Sequence, residues 1–585
     1  MRSGIYALVD LSDAPIAPED ARAIGLTGDG GPVAARGHDP ATPDAVSAAD
    51  DGERRTILVG WLDDACALAD RLGVARDMPL ARLARVALDR FGADTPRDMP
   101  GEWSLFDWHA SRGVTVMCAA GRRDMLLYAV DGPRVAVAPD IAALARIDWI
   151  GRTLDPVGMM FTYARYAVRR HRGDRTILAR VRALPAGGSA VIDASGTTVR
   201  SSAARDPLPL WRGSFEDAMV AVDAVLGAAV ERRMGPGITA SMLSGGLDSS
   251  LVTQYAAAAA GDPARLVCVT SAAPPHSGLV DELPFARMVT DHLGVRLIPV
   301  VPGADDNPFR PLPHMRMDGV GPLTAIRHYL DSALTGQAIA AGATTILEGQ
   351  FGEFTVSAME QLWHPRRRSI RATLGRLGRS LLAGRASADV DPLFHVRFAT
   401  HRRNALPDVI ADAAAHPAPA ILEEQPDGRW PAIVGREKVA AIGTEALVGG
   451  VRQELPFRDV ELLRLFASFP ASFIAREGMD RAPARHLMRG RLPDSIRLRP
   501  KGPAISPDYA LRLRRAAPAA RGRIAHFRRL GIDDWIDLDW LDAALADLAA
   551  GTGDAARDSH ETQTTAVAAE FLAAWRDGSD PASGG

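Results

Sequence analysis

The chain has 585 residues, of which 47% are hydrophobic and 24% charged, and its net charge is −3. That length favours more than one domain, and the composition excludes a mostly disordered or fibrous chain. The near balance of charge argues against a general nucleic-acid binder, and no uninterrupted apolar run reaches the roughly 18 residues of a membrane span.

The N-terminal stretch Gly4–Leu11 reads as a strand. Asp10 and Asp13 interrupt any long apolar run there, so no signal peptide is expected. The cysteines, Cys66, Cys118 and Cys268, are far apart and offer neither zinc spacing nor a disulfide framework. A reducing cytoplasmic setting fits them. Further strands are expected at Thr56–Trp61, Val114–Ala119, Leu126–Ala129, Val135–Ala138 and Ser189–Ile192, with a helix over Met78–Arg90. The stretch 28–52 is rich in Gly, Pro, Asp and Ala and reads as a loop. Residues 1–205 are therefore expected to form an α+β domain dominated by antiparallel strands.

A linker with Pro207 and Pro209 follows, and then the rhythm changes. Helices are expected at Phe215–Arg232, Ser249–Ala260, Leu283–Leu293 and Thr324–Ala341. They alternate with apolar strands at Ile238–Leu243, Leu266–Thr270, Arg296–Val301 and Thr344–Leu347. That alternation predicts a parallel sheet with helical crossovers over a second domain, 210–575. The remainder is mainly helical, and 576–585 reads as a flexible tail.

The sharpest signal is Leu243-Ser244-Gly245-Gly246-Leu247-Asp248-Ser249-Ser250, placed after a strand and opening a helix. Two glycines allow a tight turn and a close backbone approach, and the N–H groups at the helix start make an anion site. Asp248 would repel a phosphate unless a cation stood between them, which implies Mg²⁺. The loop lacks the Gly-Lys-Ser/Thr of a Walker sequence. Basic residues here are almost all arginine, and Lys438 and Lys501 are the two lysines.

The octet resembles the pyrophosphate loop of the ATP pyrophosphatases. Four further segments narrow the resemblance to the asparagine-synthetase-like group. They are Asp281-Glu282, Glu348-Gly349-Gln350-Phe351-Gly352-Glu353, Pro456-Phe457-Arg458-Asp459 and Arg499-Pro500-Lys501. In the first domain, Gly101-Glu102-Trp103-Ser104-Leu105 with Asp107, and Leu184-Pro185-Ala186-Gly187, resemble class II glutamine amidotransferases. The resemblance implies an N-terminal degenerate amidotransferase-like (Ntn) domain followed by a helix-rich ATP pyrophosphatase domain. It implies ATP and Mg²⁺ as cofactors. Leu243, Ser244, Gly245, Gly246, Asp248, Ser249, Ser250, Thr270 and Gly349 would bind ATP and its pyrophosphate. Asp248 and Glu353 would ligate the metal. Lys501 would be catalytic, and Glu454 would lie on the amine side of the site.

Two departures redirect the function. Those amidotransferases expose an N-terminal Cys before Gly-Ile, whereas this chain reads Arg2-Ser3-Gly4-Ile5. With Ser3 at or near that position glutaminase activity is not expected, and an amine on the substrate itself is the simplest nucleophile. The position that is tyrosine in β-lactam synthetases is Gln350, which cannot act as a base. A peptide α-amine, with a pKa of about 8, needs less help from one. The closest resemblance is then to lasso-peptide macrolactam synthetases, which implies a core-peptide substrate and a leader peptidase as partner. The stretch 361–403, with ten arginines against Asp389 and Asp391, and with Trp363, Phe394 and Phe398, suits an extended peptide. The alternatives are a β-lactam-synthetase-like or ammonia-dependent asparagine-synthetase-like ligase on a small substrate, and a non-catalytic ATP-binding scaffold.

Overall fold

The computed structural model describes residues 3–27, 31–38, 45–119, 121, 126–163, 174–184, 186–201, 209–303, 306–310, 327–358, 394–405, 408, 451–476, 478–500, 506–552 and 558–577. Strand β1 (Gly4–Asp10) forms a five-stranded antiparallel sheet with β2 (Val33–His38), β7 (Leu126–Asp131), β8 (Arg134–Ala138) and β9 (Arg182–Leu184), in the order β2-β1-β8-β7-β9. A six-stranded antiparallel sheet runs β11-β10-β6-β5-β4-β3. Its members are β3 (Val46–Asp50), β4 (Arg54–Leu62), β5 (Gly101–His109), β6 (Gly113–Cys118), β10 (Gly188–Asp193) and β11 (Gly196–Ser201).

The two sheets stack face to face. Ile5, Ala7 and Val9 of β1 meet Ile57, Val59, Phe106 and Val116 in the layer between them. Tyr6 and Leu8, on the other face of β1, join Phe161 and Tyr163 of a helix outside the first sheet. Leu58 and Leu105 face the helices Ala65–Leu72 and Leu80–Phe91 outside the second. This helix–sheet–sheet–helix layering explains why β1 is apolar from Ile5 to Val9: both its faces are buried there. It is the architecture that the amidotransferase resemblance implies.

The stretch expected as a loop at 28–52 instead contains β2 and β3. Their weak local signal (Val-Ala-Ala-Arg-Gly-His in β2) is overridden by pairing to β1 and β4, a tertiary contribution that propensity cannot carry.

Beyond Trp211 the parallel sheet appears. It comprises β12 (Ile238–Met242), β13 (Leu266–Ser271), β14 (Arg296–Val300), β15 (Ala343–Leu347) and β16 (Arg452–Glu454), in the order β14-β13-β12-β15-β16 with every pair parallel. One face packs on α1 (Phe215–Arg233), α2 (Leu247–Ala260) and α3 (Leu283–Leu293), and the other on α4 (His328–Ala340). The strand order reverses at β12, whose neighbours are β13 and β15. A crevice at that reversal, outside the carboxyl ends of the strands, is where doubly wound sheets bind ligands.

The C-terminal helix α5 (Asp558–Arg576) is buried along its length from Glu561 to Trp575. Phe571, Leu572 and Trp575 share one core with Tyr6, Leu8 and Phe161 of the first domain. The Trp575 indole N–H donates to Arg152 O (3.0 Å) across the domains. Arg576, expected to begin a flexible tail, closes this helix, and its guanidinium donates to Leu530 O (2.5 Å). Residues 578–585 lie outside the described residues. Among the described residues no helix is long and apolar enough to cross a membrane.

Candidate active site

The octet turns where the sheet reverses. The Leu243 N–H donates to Val269 O (2.9 Å), so the chain leaves β12 still tied to β13. Gly245 then takes φ +70°, and a Cβ there would stand 2.6 Å from Phe285 Cβ and 2.8 Å from Ala286 N. Left-handed backbone and contact with α3 together require glycine. Gly246 is the N-cap of α2, and the Ser244 N–H donates to Ser249 Oγ (3.1 Å). The two hydroxyls of Ser244 and Ser249 lie 3.0 Å apart, and the Gly246 N–H reaches Ser244 Oγ at 3.3 Å. A loop closed on itself in this way presents N–H and hydroxyl donors at a helix N-terminus, an arrangement that holds an anion. Thr270 is buried near the carboxyl end of β13, beside this crevice.

A second loop packs onto the first. It leaves β15 at Leu347 and runs through Glu348-Gly349-Gln350-Phe351-Gly352-Glu353. A Cβ on Gly349 would lie 2.6 Å from Ser249 N, and one on Gly352 would collide with the Asp248 carboxyl. Phe351 holds φ +72°, a conformation costly for a residue with a side chain, while its ring sits in the core. These close approaches set the Glu353 segment against Asp248.

Asp248 is the electrostatic anomaly of the site. Its Oδ1 is shut off from solvent and has no hydrogen-bond partner. Burial raises its pKa to about 7, against the lowering hydrogen bond from Ser357; the charge of Glu353 raises it further and Arg481 opposes that. An ionised acid here lacks a counter-charge at hand, and a divalent cation is the group that supplies one. The donor set fits Mg²⁺: oxygen ligands, carboxylates on two loops, and an anion cradle beside them. Asp248 and Glu353 would hold it, and it would draw the phosphates to this corner.

The structure brings Leu243, Ser244, Gly245, Gly246, Asp248, Ser249, Ser250, Thr270 and Gly349 together at the sheet reversal, with Glu353 at their rim. Lys501 and Lys438 lie outside the described residues. Glu454 sits elsewhere in character. It is on edge strand β16, ion-paired with Arg452 (Nε–Oε1 3.0 Å) and Arg233 (Nε–Oε2 3.6 Å). Expected as a group on the amine side, it pairs with two guanidiniums. Its backbone carbonyl accepts from the Glu348 N–H (3.0 Å), which fixes the start of the second loop. The Gln350 amide donates to Glu348 (2.6 Å).

Other expectations change in the same way. Phe394 and Phe398, read as peptide-facing aromatics, are core residues, because they pack edge-on to each other and into the shared core. Residues 361–393 of that basic stretch lie outside the described residues. Asp281 accepts from Ala273 N (2.8 Å) and Leu283 N (3.3 Å), which is helix-start bonding. Asp459 of Pro456-Phe457-Arg458-Asp459 caps the helix Val460–Ser468 and also binds Arg232 and Arg233.

Sequence reasoning missed the residue that joins the late segment to the octet. Arg499 is buried, donates to Gly245 O (3.0 Å), pairs with Glu282 Oε1 (2.5 Å) and stacks over Phe285 (3.6 Å to the centroid). Burial holds the Glu282 pKa above its ordinary value in spite of the arginine. Arg485 in turn grips the carbonyls of Arg497 (2.5 Å) and Arg499 (3.3 Å). Arg499 thus ties its segment to the octet, two residues before Lys501 in the sequence. Its position in Arg499-Pro500-Lys501 was the available signal. Asp331 was also missed: on α4 it is half-buried, and desolvation followed by the charge of Glu348 raises its pKa.

Among curated proteins, a comparison of sequences finds no match. Among solved structures, the chain is similar to a glutamine phosphoribosylpyrophosphate amidotransferase from B. subtilis complexed with ADP and GMP. Identity is 8% and the TM-score 0.23, over 59% of this chain and 81% of that one. A second similar structure, described as the allosteric regulatory enzyme of purine biosynthesis, is 9% identical with a TM-score of 0.23. It covers 52% of this chain and 60% of that one. The family model for asparagine synthase matches residues 221–417 and 448–575, a span that holds the octet, the second loop and the Arg499 segment. The chain belongs to the asparagine synthase family, whose activity is ATP-dependent amide-bond ligation.

Proposed function

We propose that the chain is an ATP- and Mg²⁺-dependent macrolactam synthetase of lasso-peptide type. It activates an Asp or Glu side chain of a core peptide as the acyl-adenylate, and the peptide's own N-terminal amine closes the ring. The observation that carries this reading is an anion cradle beside Asp248, whose Oδ1 is buried without a partner, in a chain that has Ser3 at or near the place of an amidotransferase's cysteine. Such a chain can activate a carboxylate but has no nucleophile to free ammonia from glutamine, so the amine must come with the substrate.

The residues divide the work. Backbone N–H groups of the octet, with Ser244, Ser249 and Ser250, hold the pyrophosphate as it leaves. Mg²⁺, when bound by Asp248 and Glu353, neutralises phosphate charge. Arg499 keeps the Gly245 carbonyl turned away from the anion and anchors the segment leading to Lys501. Lys501 places a positive charge where negative charge develops during carboxylate attack and amine attack. Holding amine and adenylate in one peptide replaces a bimolecular encounter, which contributes up to roughly 7–11 kcal/mol. Gln350, tied to Glu348, does not take up the amine's proton. An α-amine with a pKa of about 8 is already partly neutral near pH 8. The partners under this reading are a precursor peptide and the leader peptidase that exposes the amine.

The test is ATP–pyrophosphate exchange on the full chain, with candidate core peptides and with free aspartate. Exchange that requires a peptide, followed by a product one water lighter, is the expected result. Exchange with a small acid alone would replace the reading with a small-substrate ligase. No exchange with any substrate would favour a scaffold.

A further inference from the structure

The junction of the two domains contains a buried charge cluster that none of the octet's chemistry uses. Arg233, at the end of α1, pairs with Glu102 of β5 in the first domain, with Asp459 (3.1 Å) and with Glu454 (3.6 Å). Arg452 pairs with Glu454 (3.0 Å), donates to Arg233 O (3.0 Å) and covers the Trp61 ring of the first domain. Arg232 joins Asp459 (2.8 Å) to Asp63 (3.7 Å), and the Arg458 guanidinium donates to Gly121 O (2.8 Å). Three arginines thus face four carboxylates, and two of those, Glu102 and Asp63, come from the first domain. They differ in setting. The Glu102 and Arg233 side chains are 14% and 5% exposed, whereas Asp63 and Arg232 are 30% and 31% exposed.

The cluster reaches the active site by one short path. Glu454 lies in register with Leu347 on β15, and its carbonyl accepts from the Glu348 N–H. Glu348 opens the loop whose Gly349 and Gly352 press on Ser249 and Asp248. Edge strand β16 is three residues long; the buried Val451 and Leu455 flank it, and Arg233 and Arg452 hold its Glu454 carboxylate between them. These charges contribute to its register on β15.

We propose that Glu102 is a positioning residue for the loop 348–353, so that the amidotransferase-like domain serves the synthetase site as a fixed electrostatic abutment. Removing the Glu102 charge leaves Arg233 shared between Asp459 and Glu454, and draws Glu454 and the edge strand out of register with β15. Neutralising Asp63 acts on Arg232 at the solvent edge and leaves Glu454 in place. The kinetic arm below rests on the ligase reading; the exchange arm does not.

The experiment compares Glu102→Gln and Asp63→Asn in the full chain. Deuterium uptake by the peptide spanning 348–357 is expected to be about tenfold faster in Glu102→Gln and unchanged in Asp63→Asn. In ATP–pyrophosphate exchange, Glu102→Gln should lower kcat about tenfold with KM for ATP within about twofold, since no octet residue is substituted. Asp63→Asn should keep both values. Should Glu102→Gln fail to fold, Glu102→Asp weakens the Arg233 contact by its shorter arm, and uptake in 348–357 should then rise about threefold, no rise overturning the inference. Unchanged uptake in 348–357, or equal increases in both variants, would overturn the inference even where wild-type exchange is normal. Wild-type protein without exchange would bear on the ligase reading alone.

Discussion

Asp248→Asn separates the cost of the site from its use. Burial lifts Asp248 from an ordinary 3.8 to about 7 in the metal-free fold. Each tenfold change in proton affinity is worth about 1.4 kcal/mol, so keeping this group ionised in the fold costs about 4 kcal/mol. The sign follows from linkage. The unfolded chain loses the proton near 3.8 and the folded chain holds it to about 7, so wild-type stability falls as pH rises through that interval. Asparagine does not titrate. The stability difference between Asp248→Asn and wild type should therefore widen by about 3 kcal/mol in favour of the variant between pH 5 and 8. Other acids whose pKa is raised, Asp331, Glu282 and Asp63, titrate alike in both proteins and cancel. The unpaired Oδ1 persists in the amide and adds an offset that does not vary with pH. Denaturant melts at pH 5, 6, 7 and 8 in a chelator measure the slope. Repeating the pH 8 melt with Mg²⁺ and ATP should stabilise wild type and leave the variant unchanged. Parallel stability curves for the two proteins from pH 5 to 8 would refute the account of Asp248 as a metal-seeking acid.

Three further outcomes follow from the same contacts. Gly352→Ala should push the Asp248 carboxyl aside, destabilising by about 1–3 kcal/mol and lowering pyrophosphate exchange about 100-fold, read by melting and exchange assays. Arg499→Met should cost about 3–5 kcal/mol because it strands Glu282 in a buried site; adding Glu282→Gln should restore most of the stability but not exchange, since the Gly245 carbonyl stays released. Lys501→Ala should lower exchange about 10²–10³-fold with an unchanged melting temperature, and a stability loss comparable to that of Arg499→Met would argue for a structural lysine.

Much of the site is legible in the chain because its chemistry is local. Strand, Ser-Gly-Gly-Leu-Asp-Ser-Ser and helix are contiguous, so the turn that presents N–H and hydroxyl donors is set mostly within eight residues. Arg499 was readable as part of a motif, but its role was not, because its partners Gly245 and Glu282 lie more than two hundred residues earlier. Distance also hides one partner of Glu454, Arg233, which lies more than two hundred residues earlier. A carboxylate before Pro-Phe-x-Asp reads as a site residue until Arg233 and Arg452 are seen to hold it.

By itself the sequence determined the antiparallel and parallel halves and the turn of the octet between strand and helix. Period-two and strand–helix patterning record which face each element buries, and glycines record where backbone must approach closely. Only the tertiary structure decided that β2 and β3 are strands, that Phe394 and Phe398 are core, and that the domains share one core and one charge cluster. Edge pairing, side-chain burial and ion pairing are set by neighbours far along the chain, and their free energy exists only once those neighbours meet.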